Sequence, residues 1–595
     1  MGRLSAAQYP MDPTSAAISV APPEMGVRSG AVEAELFGHP KGLFVCFFTE
    51  MWERFSFYGM KALLLLYMLK HHLFGDELGY LVLGAYAGLV YAVPVLGGMI
   101  ADRMLGMRKA VVFGGILLCF GHLGMAYEGQ AATVDAAGLI ARDGTALAAF
   151  YLSLSLIICG VGFLKPNVAT IVGLLYPSSD PRRDSGFTLY YAGINLGALF
   201  SSLICGYIGE VYGWRYGFGA AGVGMLAGLA VFLTGQRYLL GVGEPPDPQR
   251  LSAKLLGPIR VQSAIYGGTL LAVVLIATLL NAPRVVASVQ GAMLASWLLW
   301  LAWYLRTHAD RVQRGRMISI IFFITFVLLF FALYEQTYAS WVTFTDRMLN
   351  KDLFPDLVIH EGKPLPWSVA PLAASPLIAA FALRQRSPRV AAMALAALTI
   401  AGFALILRDS VVLPQTAGSL TYLGAFFIVL LAPLFSWLWP FLDRFGANPR
   451  KSTKCVIGLL LAGLSFLPLV WANDLAAQGQ LASVWWLALA YVILEVGEVC
   501  LSPITLAAVS ELTMPKVAAV MMSGWLLATS FSEQLAALFS SFASLQIAPG
   551  ARVDMAQAAQ KYGGLFHHMV WLGLASAVLA LLLSPLLRRW MHGVR

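Results

Sequence analysis

Three ionisable residues, Glu50, Glu53 and Arg54, lie close together inside a long, mostly apolar stretch near the start of the chain. Apolar sequence flanks them at 42–48 and 60–68. Because residues three and four positions apart share a helix face, a helix here brings the three charges together. A charge in hydrocarbon is costly, so such residues usually line a protein interior or a watery cavity. The stretch therefore indicates a path for a proton or a charged solute; the alternative is a structural ion pair or a helix end whose side chains reach water.

Further ionisable residues interrupt apolar runs elsewhere in the chain. They are Lys165, Glu335 beside Gln336, the pair Glu495 and Glu498, and Glu533, which lies in line with Trp525 and Thr529. Acids near a dry boundary hold protons more tightly, and a basic partner can switch an acid between its charged and neutral forms. The inventory therefore favours proton-coupled transport.

Each of these residues also has a structural interpretation. Lys165 can reach water from a helix end, and Glu335 can cap one. Of Glu495 and Glu498, only one need face a cavity, and we predict that this residue is Glu498. For Glu533 both interpretations stay open. His122 is isolated in an apolar run and is interpreted as a core residue.

The composition is that of a membrane protein with many spans. Of the 595 residues, 59% are hydrophobic and only 12% are charged, and the mean hydropathy is +0.73. A soluble domain has roughly 25% charged residues. The net charge of +9 comes from basic residues that recur in short loops, which argues against a nucleic-acid patch. The pattern contains no nucleophile, metal cluster or soluble catalytic domain, so we predict neither an enzyme nor a cofactor, and the six cysteines read as small buried hydrophobes.

Apolar runs of about 20 residues predict an all-α polytopic protein. The predicted spans are 42–70, 78–101, 109–127, 145–176, 186–210 and 215–238 in a first bundle, 261–280 and 284–304 as an extra pair, and 317–340, 419–440, 453–471, 484–512, 516–542 and 565–587 in a second bundle. The corresponding domains are a tail at 1–41, a six-helix bundle at 42–240, a linker with the extra pair at 241–316, and a second six-helix bundle at 317–595.

An insertion at 345–418 interrupts the second bundle. It contains two more apolar runs, 368–383 and 390–407, joined by a basic turn. The first run is short and contains two prolines, so a re-entrant or interfacial hairpin is an alternative to two spans. We favour two added spans, which gives about sixteen in total.

The distribution of basic residues predicts the orientation. Basic segments such as 102–109, 306–316 and 588–595 fall on one side, whereas connections such as 75–78 and 473–480 are poor in Lys and Arg. By the positive-inside rule, the side with the basic segments faces the cytoplasm. We therefore predict a protein of the inner membrane with both termini in the cytoplasm.

A weak internal repeat links the two bundles. The loop with Asp102 and Arg103 after the second span has a counterpart with Asp443 and Arg444 in the second bundle. Two helical halves with matching loops imply a solute site between them near the membrane midplane, reached by alternating access. The Asp-Arg loop resembles the signature of the major facilitator superfamily, which indicates a transporter without indicating its solute.

Several motifs in order resemble one family within that superfamily, the proton-dependent oligopeptide transporters (POT/PTR) of bacterial type. The motifs are Glu50-x-x-Glu53-Arg54-Phe55 with Tyr58-Gly59, the run from Gly162 to Asn167, the run from Phe187 to Ala198, Tyr334-Glu335-Gln336, and Gly497-Glu498 before Ser502-Pro503. The likeness covers nearly 42–587 apart from the insertion, and the spans at 261–304 are similar to the extra helix pair of bacterial members.

The resemblance implies a monomeric symporter in the lipid bilayer that brings di- and tripeptides into the cell with protons. The site residues that it implies are Glu50, Glu53, Arg54, Lys165 and Glu335 for proton coupling, and Arg54, Phe57, Tyr58, Lys61, Tyr91, Lys165, Asn195, Glu335, Glu498 and Trp525 for substrate binding. Arg54 and Lys165 would hold the peptide carboxylate, with help from Tyr58 and Asn195, and Glu498 the amino group. Tyr91 and Trp525 would shape side-chain pockets.

Some positions depart from the family pattern. Phe57 replaces a common tyrosine, Lys61 a common arginine, and Ser532-Glu533 a common Gly-Asn pair. A lysine lacks the forked geometry with which arginine binds a carboxylate. These departures leave another small solute, such as nitrate or a drug, as the alternative cargo.

Overall fold

The computed structural model describes residues 35–177, 179–352, 415–514, 517–547 and 551–592. Within them, twelve helices are long and apolar enough to cross a membrane, which confirms the predicted all-α polytopic architecture. The chain divides into two compact units, and the helices that carry the charged residues belong to the larger one, Met1–Leu349 with Thr416–Ala482 and Trp486–Arg595. The smaller unit is Asn350–Gln415 with Ser483–Trp485.

The first half is a bundle of six spans. Its helices are α1 (Lys41–Lys70), α2 (Asp76–Ile100), α3 (Met107–Met125), α4 (Gly144–Leu174), α5 (Arg183–Ser201), α6 (Tyr207–Tyr212) and α7 (Trp214–Gly235). A π-helical turn at Ser202–Gly206 joins α5 to α6, so that Arg183–Tyr212 forms one span. A second π-helical turn, Ala101–Leu105, lengthens α2.

A short helix, α8 (Pro248–Ser252), precedes the extra pair, α9 (Val261–Leu280) and α10 (Pro283–Thr307). On α9, Tyr266 stacks on Phe113 of α3 with ring centroids 4.3 Å apart. On α10, the Trp297 indole N–H donates a 2.8 Å hydrogen bond to the Val520 carbonyl of the second half. The extra pair therefore packs on both halves.

The second half contains the remaining helices. They are α11 (Arg311–Tyr334), α12 (Ser340–Met348), α13 (Tyr422–Arg444), α14 (Lys451–Leu464), α15 (Leu467–Ala476), α16 (Trp485–Leu512), α17 (Ala518–Ser541) and α18 (Met555–Trp590). Two further helices, α1 and α17, are not among the twelve but are also long enough to cross a membrane. Both carry charged or polar residues within their apolar sequences.

Short strands occur in the connections. Their bounds are β1 (Glu35–Leu36), β2 (His39–Pro40), β3 (Thr133–Val134), β4 (Ile140–Ala141), β5 (Lys254–Leu256), β6 (Ile259–Arg260), β7 (Leu349–Asn350) and β8 (Ala482–Ser483). The first six form three antiparallel pairs of consecutive strands.

One predicted span is interrupted in a way that matters for the site. The sequence predicts a continuous helix at 317–340, but α11 ends at Tyr334 and a 3₁₀ turn, Glu335–Tyr338, separates it from α12. Interrupted helices at membrane depth are tolerated where side chains re-satisfy the freed backbone and polar groups. The interruption places Glu335 and Tyr338 at a break in the wall of the bundle.

The repeat is visible in the two Asp-Arg loops. Each is followed by a glycine in the left-handed region, Gly106 with φ +80° and Gly446 with φ +64°. A side chain is strained in that conformation, so glycine allows the chain to reverse at both places.

Helix ends differ from the predicted ones mainly at the end of the chain. The final helix was predicted at 565–587, whereas α18 begins at Met555, because Asp554 accepts hydrogen bonds from the N–H groups of Ala556 and Gln557 and caps a polar first turn. The predicted tail at 1–41 and the insertion at 345–418, with its two apolar runs, lie largely outside the described residues, so their organisation stays a prediction.

Candidate functional site

The first charged cluster lies on α1. The Arg54 guanidinium is 3.1 Å from the Glu50 carboxylate and also pairs with Glu53, and all three side chains are nearly inaccessible. Helix α5 covers the cluster closely, because a Cβ at Gly197 would come 2.3 Å from the Met51 carbonyl oxygen. The sequence predicted this cluster from helical spacing alone. Such a buried group, with two carboxylates around one cation, can bind or release a proton and exchange partners.

Lys165 of α4 is the cation next to that cluster. Its ammonium lies 4.5 Å from the centre of the Tyr91 ring of α2. The charged side chains near it include Arg54 and Glu53. The side chain is half-buried, as is Tyr91, so both groups have access to space inside the bundle. Lys165 is therefore placed to accept an anionic group or one of the carboxylates of α1.

The second charged cluster joins the two halves. The Lys61 ammonium of α1 donates to Glu335 at 2.8 Å and to Glu533 of α17 at 3.0 Å, and it lies 4.6 Å from the centre of the Tyr338 ring. The three charged side chains are 2%, 6% and 4% exposed. These ion pairs therefore connect a helix of the first half to two elements of the second half.

The acidic pair of α16 lies beside α11. The Tyr334 hydroxyl donates to the Glu495 carboxylate at 3.3 Å, and Glu495 is fully buried. Glu498 lies beside Glu495 and Tyr334 but is half-buried. Of the two acids, Glu498 is the more accessible, and its choice as the residue that faces a cavity stays a prediction.

The remaining predicted site residues occupy different surroundings. Tyr58 stacks on Tyr338 across the two halves with centroids 6.3 Å apart. The Asn195 amide donates to the Tyr191 carbonyl at 2.9 Å. Trp525 is half-buried, and within the described part of the chain its indole N–H has no hydrogen-bond partner. Phe57, by contrast, is 1% exposed and packs against Arg54.

Two features of this region were missed by the sequence reasoning. Tyr338 contacts both Lys61 and Tyr58, and its spacing of three and four from Glu335 and Tyr334 was an available signal. The second feature is an ion pair between the halves, in which the Arg347 guanidinium donates to both carboxylate oxygens of Asp76 at 2.7 Å. Its members are far apart in the chain, so no local pattern indicates it.

Comparisons with known proteins identify the family to which the chain is similar. The family model described as "POT family" matches residues 108–359 and 413–552. The chain is 34% identical to "Uncharacterized transporter YclF" of Bacillus subtilis (strain 168), over 94% of this chain and 96% of that protein. It is 30% identical to "Peptide transporter YePEPT" of Yersinia enterocolitica, over 84% and 88%.

A solved structure supports the same relationship. The chain resembles a crystal structure of a mutant form of the peptide transporter POT in complex with alafosfalin, with a TM-score of 0.70 and 29% identity, over 94% of this chain and 98% of that one. That structure and the relative from Yersinia are named as peptide transporters.

Proposed function

The chain belongs to the POT family, and from that premise we propose that it is a proton-coupled symporter that imports di- and tripeptides by alternating access. The observation that carries the proposal is the division of accessible charge: Lys165 belongs to the first half and Glu498 to the second, and both are half-buried. A peptide is a zwitterion, so it needs a cation for one end and a carboxylate for the other. The names of the relatives favour peptides over nitrate or a drug.

In this proposal Lys165 and Arg54 hold the peptide carboxylate, while Tyr58 and Asn195 supply polar contacts around it. Glu498 receives the peptide amino group. The half-buried rings of Tyr91 and Trp525 line space for variable side chains. A site of this kind binds the two ends of the peptide and leaves space for the side chains between them. It therefore accepts peptides of many sequences.

Protons act on the two charged clusters. Within the first cluster, protonation of Glu53 weakens its hold on Arg54 and frees that cation for the peptide carboxylate, while Glu50 keeps Arg54 in place. Within the second, protonation of Glu335 weakens its pair with Lys61 and favours separation of the halves. A membrane potential of about 100 mV adds roughly 2.3 kcal/mol for each charge moved inward. We place the protein in the inner membrane as a monomer with both termini in the cytoplasm.

The test is uptake of dialanine into proteoliposomes with and without a pH gradient. We expect Lys165→Ala and Glu53→Gln to abolish gradient-driven uptake, because the first removes a cation for the carboxylate and the second a proton carrier. Lys451→Ala is the matched control, since Lys451 pairs with Glu511 near the surface. Normal uptake by both variants would overturn the assigned roles, and uptake of nitrate in preference to peptide would overturn the proposed cargo.

A further inference from the structure

Glu533 stands beside the proposed proton carrier Glu335 and has no role in the mechanism described so far. Both carboxylates bind the same ammonium, that of Lys61, at 3.0 Å and 2.8 Å. All three side chains are more than nine-tenths buried. Two carboxylates that share one buried cation carry one excess negative charge when both are ionised, and such a charge is costly away from water.

The neighbouring groups do not offset that excess. Besides Glu335 and Glu533, the titratable groups near Lys61 include the hydroxyls of Tyr91 and Tyr338, which are neutral acids at ordinary pH. Tyr86 of α2 also faces this cluster. The cations Arg54 and Lys165 belong to the first cluster with Glu50 and Glu53. When both acids are ionised, the Lys61 cluster therefore carries one negative charge that these neighbouring groups do not offset.

The backbone keeps Glu533 in this position. Helix α17 packs tightly on α2, because a Cβ at Gly84 would come 2.9 Å from the Glu533 carbonyl oxygen and 2.5 Å from the Ala537 Cβ. Further along the same contact, the Ser530 hydroxyl donates to the Gly88 carbonyl at 2.7 Å. Lys61 belongs to the first half and Glu533 to the second, so this ion pair, like that with Glu335, must break when the halves separate.

Both acids line a small cavity. Its volume is about 10 Å³, and Glu335, Tyr338 and Glu533 are among its lining residues. That is close to the minimum for one water molecule, which needs polar partners of the kind that line this cavity.

We propose that Glu533 is a second proton-binding carboxylate of the transporter, which shares Lys61 with Glu335 and can replace Glu335 in proton coupling. The proposal rests on the proposed symport function. A proton from water binds a carboxylate oxygen of the pair, and Lys61 keeps the remaining carboxylate as its partner. A second proton neutralises that carboxylate and releases Lys61, so that the two halves can separate at this point.

The functional test measures the accumulation ratio of dialanine in proteoliposomes under a pH gradient. A gradient of one pH unit supports about tenfold accumulation per coupled proton. We expect the single variants Glu335→Gln and Glu533→Gln each to retain accumulation of several fold, and the double variant to fall to a ratio of about one. Glu511→Gln, which removes an exposed carboxylate, is the matched control and should accumulate peptide like the unmodified protein.

Two results would overturn the proposal: complete loss of accumulation in Glu335→Gln alone, or accumulation that persists in the double variant. A second measurement does not depend on peptide transport or on the double variant. Infrared difference spectra of the purified protein should show the C=O stretch of protonated carboxyls at neutral pH, and the band should lose the intensity of one carboxyl in either single variant because one carboxylate then pairs with one ammonium. A band unchanged in Glu533→Gln would refute the shared proton. Failure of the unmodified protein to take up peptide, with the band present, would instead count against the symport function.

Discussion

Two buried cationic residues of α1, Arg54 and Lys61, hold their carboxylates in different ways. Arg54 is held by Glu50 and Glu53 of its own helix, whereas Lys61 binds Glu335 and Glu533 from the other half of the molecule. An ion pair within one helix survives any movement of the halves, and one between halves does not. Arg54 is thus suited to exchanging a carboxylate of its own helix for that of a substrate. Lys61 is instead suited to forming ion pairs that exist only while the two halves are in contact.

A histidine in the connection between α1 and α2 predicts how stability depends on pH. His72 is buried among Tyr67, Phe74 and Phe150, and burial, with His71 and Arg142 nearby, lowers its pKa from 6.5 to about 4. The folded protein therefore keeps His72 neutral, while the unfolded chain protonates it below pH 6.5. This contribution to stability is complete above pH 6.5 and is lost as the pH falls toward 4, by up to about 1.4 kcal/mol per pH unit.

We therefore expect His72→Gln to lose less stability than the unmodified protein between pH 6.5 and 4.5, because glutamine has no proton to gain. The measurement is thermal unfolding of the purified protein in detergent across that range. The two proteins should be compared by their slopes, since the substitution also changes packing at neutral pH. Parallel slopes would contradict the assignment of the pH dependence to His72.

At the scale of residues, the sequence predicts contacts between residues that are close in the chain. Glu50, Glu53 and Arg54 come together because helical spacing alone brings them together. For Glu533 the sequence leaves both interpretations open, because its partner Lys61 lies 472 positions away and the two meet only when the helices pack. A pattern within one helix contains the first relationship and not the second.

At the scale of elements, a buried amide holds the 3₁₀ turn of Glu335–Tyr338 against α17. The Gln336 amide N–H donates to the Ala536 carbonyl at 2.9 Å, and its amide oxygen accepts from Ser340 at 2.6 Å and Ser540 at 2.8 Å. A fully paired polar group of this kind specifies one arrangement, because any other leaves buried groups without partners. This network keeps Glu335 at the break between α11 and α12.

Substitution of this glutamine should be costly. We expect Gln336→Leu to destabilise the protein by about 2–5 kcal/mol, because two buried hydroxyls and a carbonyl lose their partner. The matched control is Gln290→Leu of α10, since that amide is also buried but has no hydrogen-bond partner among the described residues. Thermal unfolding in detergent compares the two variants. Equal losses of stability would show that the network does not hold the turn.

The elements themselves were largely predictable. Each span predicted within the described residues is present, because membrane helices need about 20 apolar residues whatever their neighbours are. The break at Glu335–Tyr338 was not predicted, since the hydropathy of 317–340 is continuous and the Gln336 partners come from α12 and α17. Hydropathy thus predicts where a helix crosses but not where it is interrupted.

At the scale of the whole molecule, the two halves are joined at the end where α2 begins. Asp76 accepts from Arg347 through both oxygens and from the Leu545 backbone N–H at 3.0 Å. The Tyr80 and Thr343 hydroxyls, 2.6 Å apart, add a second connection. Lys61 with Glu335 and Glu533 lies deeper along the same contact. The structure is therefore closed at this end, which faces outward in the orientation that we propose from the charge distribution of the loops.

The Asp76–Arg347 pair should govern the balance between this closed state and one that opens outward. Its side chains are 6% and 10% exposed, and loss of one partner from a buried pair costs roughly 3–5 kcal/mol. Asp76→Asn therefore raises the free energy of the closed state and shifts the population outward. The measurement is the rate at which a membrane-impermeant thiol reagent labels a cysteine introduced at Leu83, which lines the small cavity beside Glu335 and Glu533.

We expect labelling from outside to rise several fold in Asp76→Asn, and to return toward the original rate when the charges are exchanged as Asp76→Arg with Arg347→Asp. Lys70→Gln is the matched control, because Lys70 pairs with Asp346 at the rim, where its side chain is 43% exposed, and such pairs contribute at most about 1 kcal/mol. If Asp76→Asn and Lys70→Gln label at the same rate, the buried pair does not set the balance, and the deeper Lys61 cluster must keep the outer end closed by itself. Because that cluster can open only after proton binding, the labelling rate should in this case increase only when the external solution is acidified.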